Sequence, residues 1–153
     1  MKIATICFLV TGDSIILANK KRGFGKGYLN GYGGKAEPGE DVMSVALREL
    51  KEESGIDANK EQAELTAIID FFEEDTQLFE CHVFFVSNWT DTPVESEEMA
   101  QPEIFKRTEL PFARMWKSDK EWLPIVCKGE KIHAKAYYKK GMQEIERFEY
   151  TPL

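Results

Sequence analysis

The chain has 153 residues, of which 42% are hydrophobic and 31% charged, the balance of an ordinary globular protein. Its 20 basic and 27 acidic residues give a net charge of −7, which argues against a protein that binds a nucleic-acid polymer through a basic surface. No apolar run is long enough to span a membrane, and three widely spaced cysteines disfavour a disulfide framework or a zinc site. We therefore expect a single domain over residues 1–153 and a reducing, cytoplasmic environment.

Two strands and a glycine-rich loop are predicted at the start of the chain. Residues 3–10 are rich in β-branched and aromatic side chains, and residues 15–18 follow a turn as a second apolar strand. Residues 23–34 hold six of the 11 glycines, a density that helices and strands tolerate badly. We predict that this segment is a loop whose backbone approaches other groups closely.

A long amphipathic helix is predicted next. Apolar residues recur there at three- and four-residue spacing, which places them on one helix face. Asp41 or Glu40 lies near its start, and Gly55 is placed to end it.

The second half of the chain predicts four more strands and a short helix. Ser118 and Glu121 have the spacing of a capping box ahead of that helix, which Pro124 would kink. Residues 90–101 are acidic and contain a proline, so they are predicted as a loop. The strands are predicted at residues 65–72, 78–86, 131–138 and 143–150. The elements together predict a mixed α/β protein with about seven strands.

Three glutamates lie close together on the predicted long helix. Glu49 precedes Glu52 by three residues and Glu53 by four, so the three carboxylates lie near one face. Like charges at this spacing repel each other, and Arg48 offsets only part of that repulsion. A divalent cation such as Mg²⁺ or Mn²⁺ would offset it, because hard carboxylate oxygens are its preferred ligands. The alternative, which the spacing alone leaves open, is an ordinary solvated face.

The residues around the glutamates form a recognisable motif. Every constrained position of the Nudix box is present, in the pattern Gly34-x5-Glu40-x7-Arg48-Glu49-Leu50-x-Glu52-Glu53-x-Gly55-Ile56. The chain also resembles the oxidised purine nucleoside triphosphatases, the 8-oxo-dGTP diphosphatases of this MutT-like family. The resemblance lies in the segments KKRGFGKGYLNGYGGKAEPGE, TPVESEEM and LPFARMWKSDKEWLP.

The resemblance implies an α/β/α sandwich with a mixed sheet, in which a long loop–helix–loop holds Mg²⁺, or Mn²⁺, against a polyphosphate. Glu49 and Glu53 match the main metal ligands, and Glu52 assists them. The carbonyl group of Gly33 and the carboxylate of Glu98 match two further ligands. The implied reaction is attack of water on an internal phosphorus, which gives a nucleoside monophosphate and pyrophosphate. Either Glu53 or Glu98 would accept the proton of that water.

Basic residues are expected beside this acidic cluster. Residues 1–36 carry six Lys and Arg against one acid, whereas residues 37–56 carry six acids. A basic edge of this kind suits a metal-bound triphosphate, and Lys20 and Lys35 are the basic residues that we assign to substrate binding. Simple surface solvation is the alternative for residues 20–22. Arg48 is expected to orient the glutamates, and Glu40 to brace the loop.

The resemblance also implies a pocket for the base, with aromatic walls and a few polar groups that face the purine edge. Asn30 offers donors and an acceptor to a purine, and Trp116 offers a stacking surface. The alternatives are that Phe24 and Trp116 are core residues and that Asn30 makes a turn. The residues assigned to this pocket are Thr5, Phe24, Asn30, Trp116 and Asp119.

Two departures from the family pattern bear on the substrate. Related sequences carry two consecutive acids where this chain has Ser118 and Asp119, and an aromatic pocket residue where Asp70 falls. The sequence therefore leaves open which oxidised purine is preferred. His82 and His133 are expected to be packed strand residues, and Trp122 a core residue.

The leading interpretation is a Mg²⁺-dependent hydrolase of oxidised purine nucleoside triphosphates that sanitises the nucleotide pool. Its expected partner is a small nucleoside triphosphate, without a nucleic-acid polymer or a membrane, and a monomer is expected at this size. The alternatives are a Nudix hydrolase of an ordinary nucleotide, ADP-ribose or a dinucleotide, and a catalytically silent nucleotide-binding module.

Overall fold

A mixed sheet forms the centre of the molecule. The computed structural model describes residues 2–153, and over this range nine strands join in one sheet. The strands are β1 (Lys2–Val10), β2 (Ser14–Asn19), β3 (Leu29–Asn30), β4 (Lys35–Ala36), β5 (Ala63–Glu73), β6 (Thr76–Val86), β7 (Glu103–Lys106), β8 (Ile132–Tyr138) and β9 (Ile145–Pro152). The helices are α1 (Val42–Ser54) and α2 (Asp119–Cys127), and turns of 3₁₀ helix cover Lys60–Gln62 and Phe112–Arg114.

The strands follow the order β3-β2-β1-β6-β5-β8-β9, while β4 pairs with β1 and β7 pairs with β2. β1 is parallel to β6, β5 is parallel to β8, and the other paired strands are antiparallel. The four strands predicted in the second half of the chain are confirmed, and they form the antiparallel pairs β5–β6 and β8–β9.

The two helices cover opposite faces of the sheet. Side chains along β1 alternate between these faces, as the two-residue period of a strand requires. Phe8 packs against Trp122 of α2, with ring centroids 6.1 Å apart. Leu9 belongs to a second buried cluster, which contains Ala46 and Leu50 of α1. The predicted α/β/α sandwich is confirmed, and β1 lies between its two cores.

Local chemistry fixes both ends of α1, as the sequence predicts. The Asp41 carboxylate accepts a hydrogen bond from the N–H of Ser44 at 3.1 Å, which satisfies one of the free donors at the helix start. Gly55 follows the last turn in the left-handed region, with a φ of 81°. Its N–H donates to the carbonyl of Lys51 at 2.9 Å, which closes the helix.

The predicted capping box at Ser118 is wrong. The Ser118 backbone is already helical, and its buried hydroxyl has no hydrogen-bond partner among residues 2–153. The N–H of Ser118 instead donates to the Tyr138 hydroxyl at 2.8 Å. A tertiary contact with β8, rather than a local cap, therefore sets the start of α2, which continues through Pro124 to Cys127.

Three short strands, β3, β4 and β7, are not predicted by the sequence pattern. Each has only two to four residues, which is too few to show a two-residue period. They form because β1 and β2 offer them backbone hydrogen bonds, so their cause is tertiary. Within residues 2–153, none of the helices has both the length and the apolar character needed to cross a membrane.

Candidate active site

Close backbone packing against β1 builds one wall of the site. A β-carbon on Gly33 would overlap the carbonyl oxygen of Thr5, and one on Gly34 would lie 2.5 Å from the carboxyl carbon of Glu49. The N–H of Thr5 donates to the Gly34 carbonyl at 2.8 Å, and the Thr5 hydroxyl lies within hydrogen-bond distance of the same residue. Glycine is therefore required at residue 33, because the loop lies directly on the backbone of β1, whereas residue 34 faces the mobile end of the Glu49 side chain.

Glu53 reaches from the last turn of α1 to this loop. Its Oε1 accepts a hydrogen bond from the N–H of Gly33 at 3.0 Å, and the residue is only 5% exposed. Burial raises the pKa of Glu53 to about 7, although the Gly33 hydrogen bond and the charge of Lys20 both oppose that rise. A carboxyl group with this pKa can exchange a proton near neutral pH, as a general base must.

Arg48 lies between the other two glutamates of α1. Its Nη1 is 3.2 Å from Oε1 of Glu49 and 3.5 Å from Oε1 of Glu52, and its Nη2 is 4.0 Å from Glu40. Burial and then the charge of Glu52 raise the pKa of Glu49, while Arg48 opposes that rise. These contacts fit the orienting role predicted for Arg48, which stays a prediction.

Glu98 approaches the α1 glutamates from the loop between β6 and β7. Its Oε1 is 2.6 Å from Nη2 of Arg22 and accepts a hydrogen bond from Nε of Arg22 at 2.8 Å. This hydrogen bond lowers the pKa of Glu98, and Lys20 contributes in the same direction. The charge of Glu98 in turn raises the pKa values of Glu49 and Glu53, so the three carboxylates are near enough to affect each other.

The donor set at this site fits a hard divalent cation. Glu49, Glu52, Glu53 and Glu98 all carry carboxylate oxygens, which Mg²⁺ and Mn²⁺ prefer, and the repulsion among them favours a cation. Across residues 2–153, no three His, Cys, Asp or Glu side chains are already close enough together to hold a metal ion. In this structure Glu49 and Glu52 contact Arg48, and Glu98 contacts Arg22.

A cavity of about 420 Å³ opens beside Glu53, on the α2 side of the sheet. The seven residues assigned to substrate binding all line it: Thr5, Lys20, Phe24, Asn30, Lys35, Trp116 and Asp119. The structure thus brings together residues from β1, the glycine-rich loop and α2 that are distant in the sequence. A larger cavity of about 790 Å³ lies at the opposite end of β1, around Thr11 and Arg107, away from the carboxylates.

Aromatic rings form the walls of the smaller cavity. The Trp116 ring centroid is 5.1 Å from that of Phe24 and 5.1 Å from that of Tyr28. Phe71 and Phe79 stack at 4.8 Å on the neighbouring wall. Phe24 is 57% exposed and Trp116 is half-buried, so neither is a core residue. Walls of this kind suit the faces of a flat aromatic ring such as a purine.

Asp119 supplies a polar group to this otherwise aromatic cavity. Its Oδ1 accepts a hydrogen bond from Nε1 of Trp122 at 3.2 Å, whereas its buried Oδ2 has no partner in the described part of the chain. Burial raises the pKa of Asp119 to about 7, against the effect of the Trp122 hydrogen bond. The free oxygen is therefore available to a ligand in the cavity, either as a donor or as an acceptor.

Polar side-chain atoms of Asn30 and Thr5 are already used in hydrogen bonds with the backbone. Oδ1 of Asn30 accepts a hydrogen bond from the N–H of Gly31 at 2.8 Å, which is the turn contact that the sequence left as an alternative. Asn30 still lines the cavity, whereas the Thr5 hydroxyl is held by Gly34.

The placement of Asp70 in the pocket is wrong. Asp70 contacts Nε2 of His133 at 3.0 Å and accepts a hydrogen bond from Gln77, while its neighbours Ile69 and Phe71 line the cavity. Adjacent strand residues face opposite sides of a sheet, so Phe71 and not Asp70 stands in the aromatic wall.

Other lining residues were missed by the sequence reasoning. The aromatic ones are Tyr28, Phe71 and Phe79, while Trp122, which is buried in the core as expected, also lines the cavity. The available signals were the two-residue alternation in β5 and β6 and the aromatic residues within the glycine-rich loop.

The geometry can now be compared with known proteins. Residues 1–125 match the NUDIX domain family, which is most of the chain. The chain belongs to the Nudix family. Nudix hydrolases typically use a divalent metal and act on small nucleotide substrates.

Two curated relatives are named oxidized purine nucleoside triphosphate hydrolase. The one from Danio rerio is 36% identical over 131 residues, and the one from Mus musculus is 36% identical over 132 residues. Each alignment covers 86% of this chain and 83% of the relative. The crystal structure of a mutator MutT protein from Bacillus halodurans has a TM-score of 0.82 with 23% identity, and the match covers 100% of this chain and 99% of that one. The resemblance and the fold predicted from the sequence are both confirmed.

Proposed function

We propose that this Nudix protein hydrolyses oxidised purine nucleoside triphosphates, such as 8-oxo-dGTP, to the monophosphate and pyrophosphate. One observation carries the proposal: an aromatic cavity with a buried, half-satisfied carboxyl group opens directly onto Glu53 of the Nudix helix. The two relatives named for this activity support it.

The base would lie between Trp116 and the Phe71–Phe79 wall. Oδ2 of Asp119 would pair with the edge of the purine, as a hydrogen-bond donor when the carboxyl group is neutral and as an acceptor when it is charged. The amide nitrogen of Asn30 would donate to the same ring. These contacts would select a modified purine, because a purine without the matching groups would leave the buried polar atoms of the site without hydrogen bonds.

The triphosphate would extend from this cavity to the carboxylates of α1. Lys20 and Lys35 line the path and would neutralise phosphate charge. Glu49 and Glu53 would hold Mg²⁺, with Glu52, Glu98 and the Gly33 carbonyl as further ligands. The bound ion would neutralise the phosphates and lower the pKa of a coordinated water.

Glu53 is our choice for the group that accepts the proton of the attacking water. Its buried carboxyl group lines the cavity that would hold the substrate, whereas the carboxylate of Glu98 is engaged by Arg22. Arg48 would act as a positioning residue through its contacts with Glu49 and Glu52.

A substrate panel tests the proposal. We would measure pyrophosphate and monophosphate release, with and without Mg²⁺, at equal low concentrations of 8-oxo-dGTP, 2-hydroxy-dATP, dGTP, dATP, ADP-ribose and a dinucleoside polyphosphate. The expected result is a Mg²⁺-dependent kcat/KM at least about tenfold higher for an oxidised purine, because one net hydrogen bond contributes about 1 kcal/mol.

Two other results would redirect the assignment. A preference for ADP-ribose or undamaged nucleotides would agree with a Nudix hydrolase but would contradict the assigned base pocket. Tight nucleotide binding without turnover in Mg²⁺ would indicate a silent binding module.

We also propose that residues 1–153 act as one Nudix domain, as a cytoplasmic monomer. The single sheet that runs through the described residues supports one domain. Size-exclusion chromatography with light scattering tests the monomer.

A further inference from the structure

The segment that carries Glu98 is held against the basic run at residues 20–22 by backbone hydrogen bonds. The N–H of Lys21 donates to the Glu98 carbonyl at 2.8 Å, and the N–H of Ala100 donates to the Asn19 carbonyl at 2.8 Å. Lys20 and Met99 pair between these two hydrogen bonds as an isolated antiparallel β-bridge. These backbone contacts therefore fix the main chain of Glu98 beside Arg22. The orientation of the Glu98 carboxylate is set by side-chain contacts.

The side chains turn the Glu98 carboxylate towards Arg22. Oε1 of Glu98 is contacted by both Nη2 and Nε of the Arg22 guanidinium, at 2.6 and 2.8 Å. Oε2 of Glu97 lies 3.7 Å from the same Nη2. A guanidinium and a divalent cation bind the same carboxylate lone pairs, so they cannot both use Oε1 fully. The Arg22 pair is also breakable, because the Arg22 side chain is 59% exposed and such pairs are weak.

We propose that Arg22 is a positioning residue that competes with the divalent cation for Glu98 and withholds this carboxylate from the α1 glutamates in the nucleotide-free protein. The proposal rests on the proposed function, because it needs Glu98 as a metal ligand. A phosphate group is the other anion that a guanidinium binds in two-point contact, so an incoming triphosphate offers Arg22 a replacement partner and releases Glu98.

The test is a titration of the nucleotide-free protein with Mn²⁺, in which free Mn²⁺ is followed by electron paramagnetic resonance. Arg22→Gln should bind Mn²⁺ about two- to fivefold more tightly than the wild type, the effect expected from removing one exposed ion pair. Lys21→Gln is the matched control, because it removes the same charge one residue away from an ion pair with Glu95 instead of Glu98. Its smaller gain measures the general effect of lost positive charge.

The same titration in a Glu98→Gln background completes the experiment. The gain from Arg22→Gln should disappear there, since the residue released by the substitution no longer has a charge. Equal gains in Arg22→Gln and Lys21→Gln would overturn the competition while Glu98 stays a ligand. A Glu98→Gln protein with wild-type Mn²⁺ affinity would also overturn the proposal, through the ligand assignment, without touching the substrate panel.

Discussion

Glu53 and Asp119 are the two carboxyl groups of the cavity on which burial acts most strongly. Both line the same space, and burial raises the pKa of each to about 7. Their partners differ, however. Glu53 accepts a hydrogen bond from the backbone N–H of Gly33, and Asp119 accepts one from the indole N–H of Trp122. One cause, the loss of water, would thus prepare Glu53 for the proposed hydrolytic step and Asp119 for recognition of the base.

Replacing Glu53 with Gln should separate chemistry from folding. We expect kcat to fall by about 10²–10⁴-fold, the usual contribution of a general base. The thermal unfolding midpoint should not fall, because the amide keeps the size of the side chain and removes a buried ionisable group. Glu52→Gln is the control, since this exposed carboxylate should matter less to kcat. A Glu53→Gln enzyme with near wild-type kcat would contradict the proposed metal site.

Replacing Asp119 with Asn should remove part of the pH dependence of stability. The carboxyl group titrates near pH 4 in the unfolded chain and near pH 7 in the folded protein, so the folded state holds the extra proton between these values. The free energy of unfolding therefore falls as pH rises through this window, by a few kcal/mol for this group.

Urea denaturation at about pH 4.5 and about pH 8 measures this effect. Asp119→Asn should gain stability relative to the wild type at the higher pH only. The contribution of Glu53 is present in both proteins and cancels in the comparison. The same difference at both pH values would show that Asp119 ionises normally in the folded protein.

At the scale of the elements, α1 and α2 begin for different physical reasons. The Asp41 carboxylate caps α1, while a contact between the Ser118 backbone and Tyr138 of β8 orders the start of α2. Ser118→Ala should therefore cost no stability, in contrast to the loss of about 1 kcal/mol typical of a removed cap. Asp41→Ala is the positive control and should lower the urea midpoint. Comparable losses in both variants would restore the capping role of Ser118.

The loop between β3 and β4 should be intolerant of any side chain at Gly33. Gly33→Ala forces the loop away from Thr5, and we expect it to cost at least about 1–3 kcal/mol, as overpacking in a tight site does. Gly12→Ala is the matched control, because no atom lies within 4 Å of a β-carbon placed there. Urea midpoints give the measurement. If both variants lost equal stability, the close approach to β1 would not be the reason for glycine.

For the molecule as a whole, the net charge of −7 hides a basic edge at the cavity. Lys20 and Lys35 line the cavity, so added salt should raise KM for a nucleoside triphosphate more than it changes kcat. Steady-state rates over a range of NaCl concentrations give the measurement, and Lys20→Gln should reduce the dependence. A salt-independent KM would show that exposed charge does not attract the substrate.

Local signals in the sequence are enough to predict α1, its caps and the carboxylate cluster, because Asp41, Gly55 and the glutamate spacing act over one or two turns. The cavity residues could be assigned from the sequence only because the resemblance to the family supplied their positions. The remainder depends on contacts that no local pattern contains. The face on which Phe71 lies follows from the pairing of β5 with its neighbours, which is why Asp70 was misplaced. The same holds for Ser118, whose partner Tyr138 is 20 residues away.

The placement of α1 and α2 on opposite faces of the sheet has an evolutionary consequence. Most of the carboxylates that would hold the metal belong to α1, whereas the groups that would recognise the base lie in the cavity on the α2 side, with β1 as the shared boundary. Substitutions in one layer leave the packing of the other largely unchanged, because sites without shared partners act almost independently. A lineage can therefore acquire new base preferences through α2 and its neighbours while it inherits the same hydrolytic apparatus unaltered.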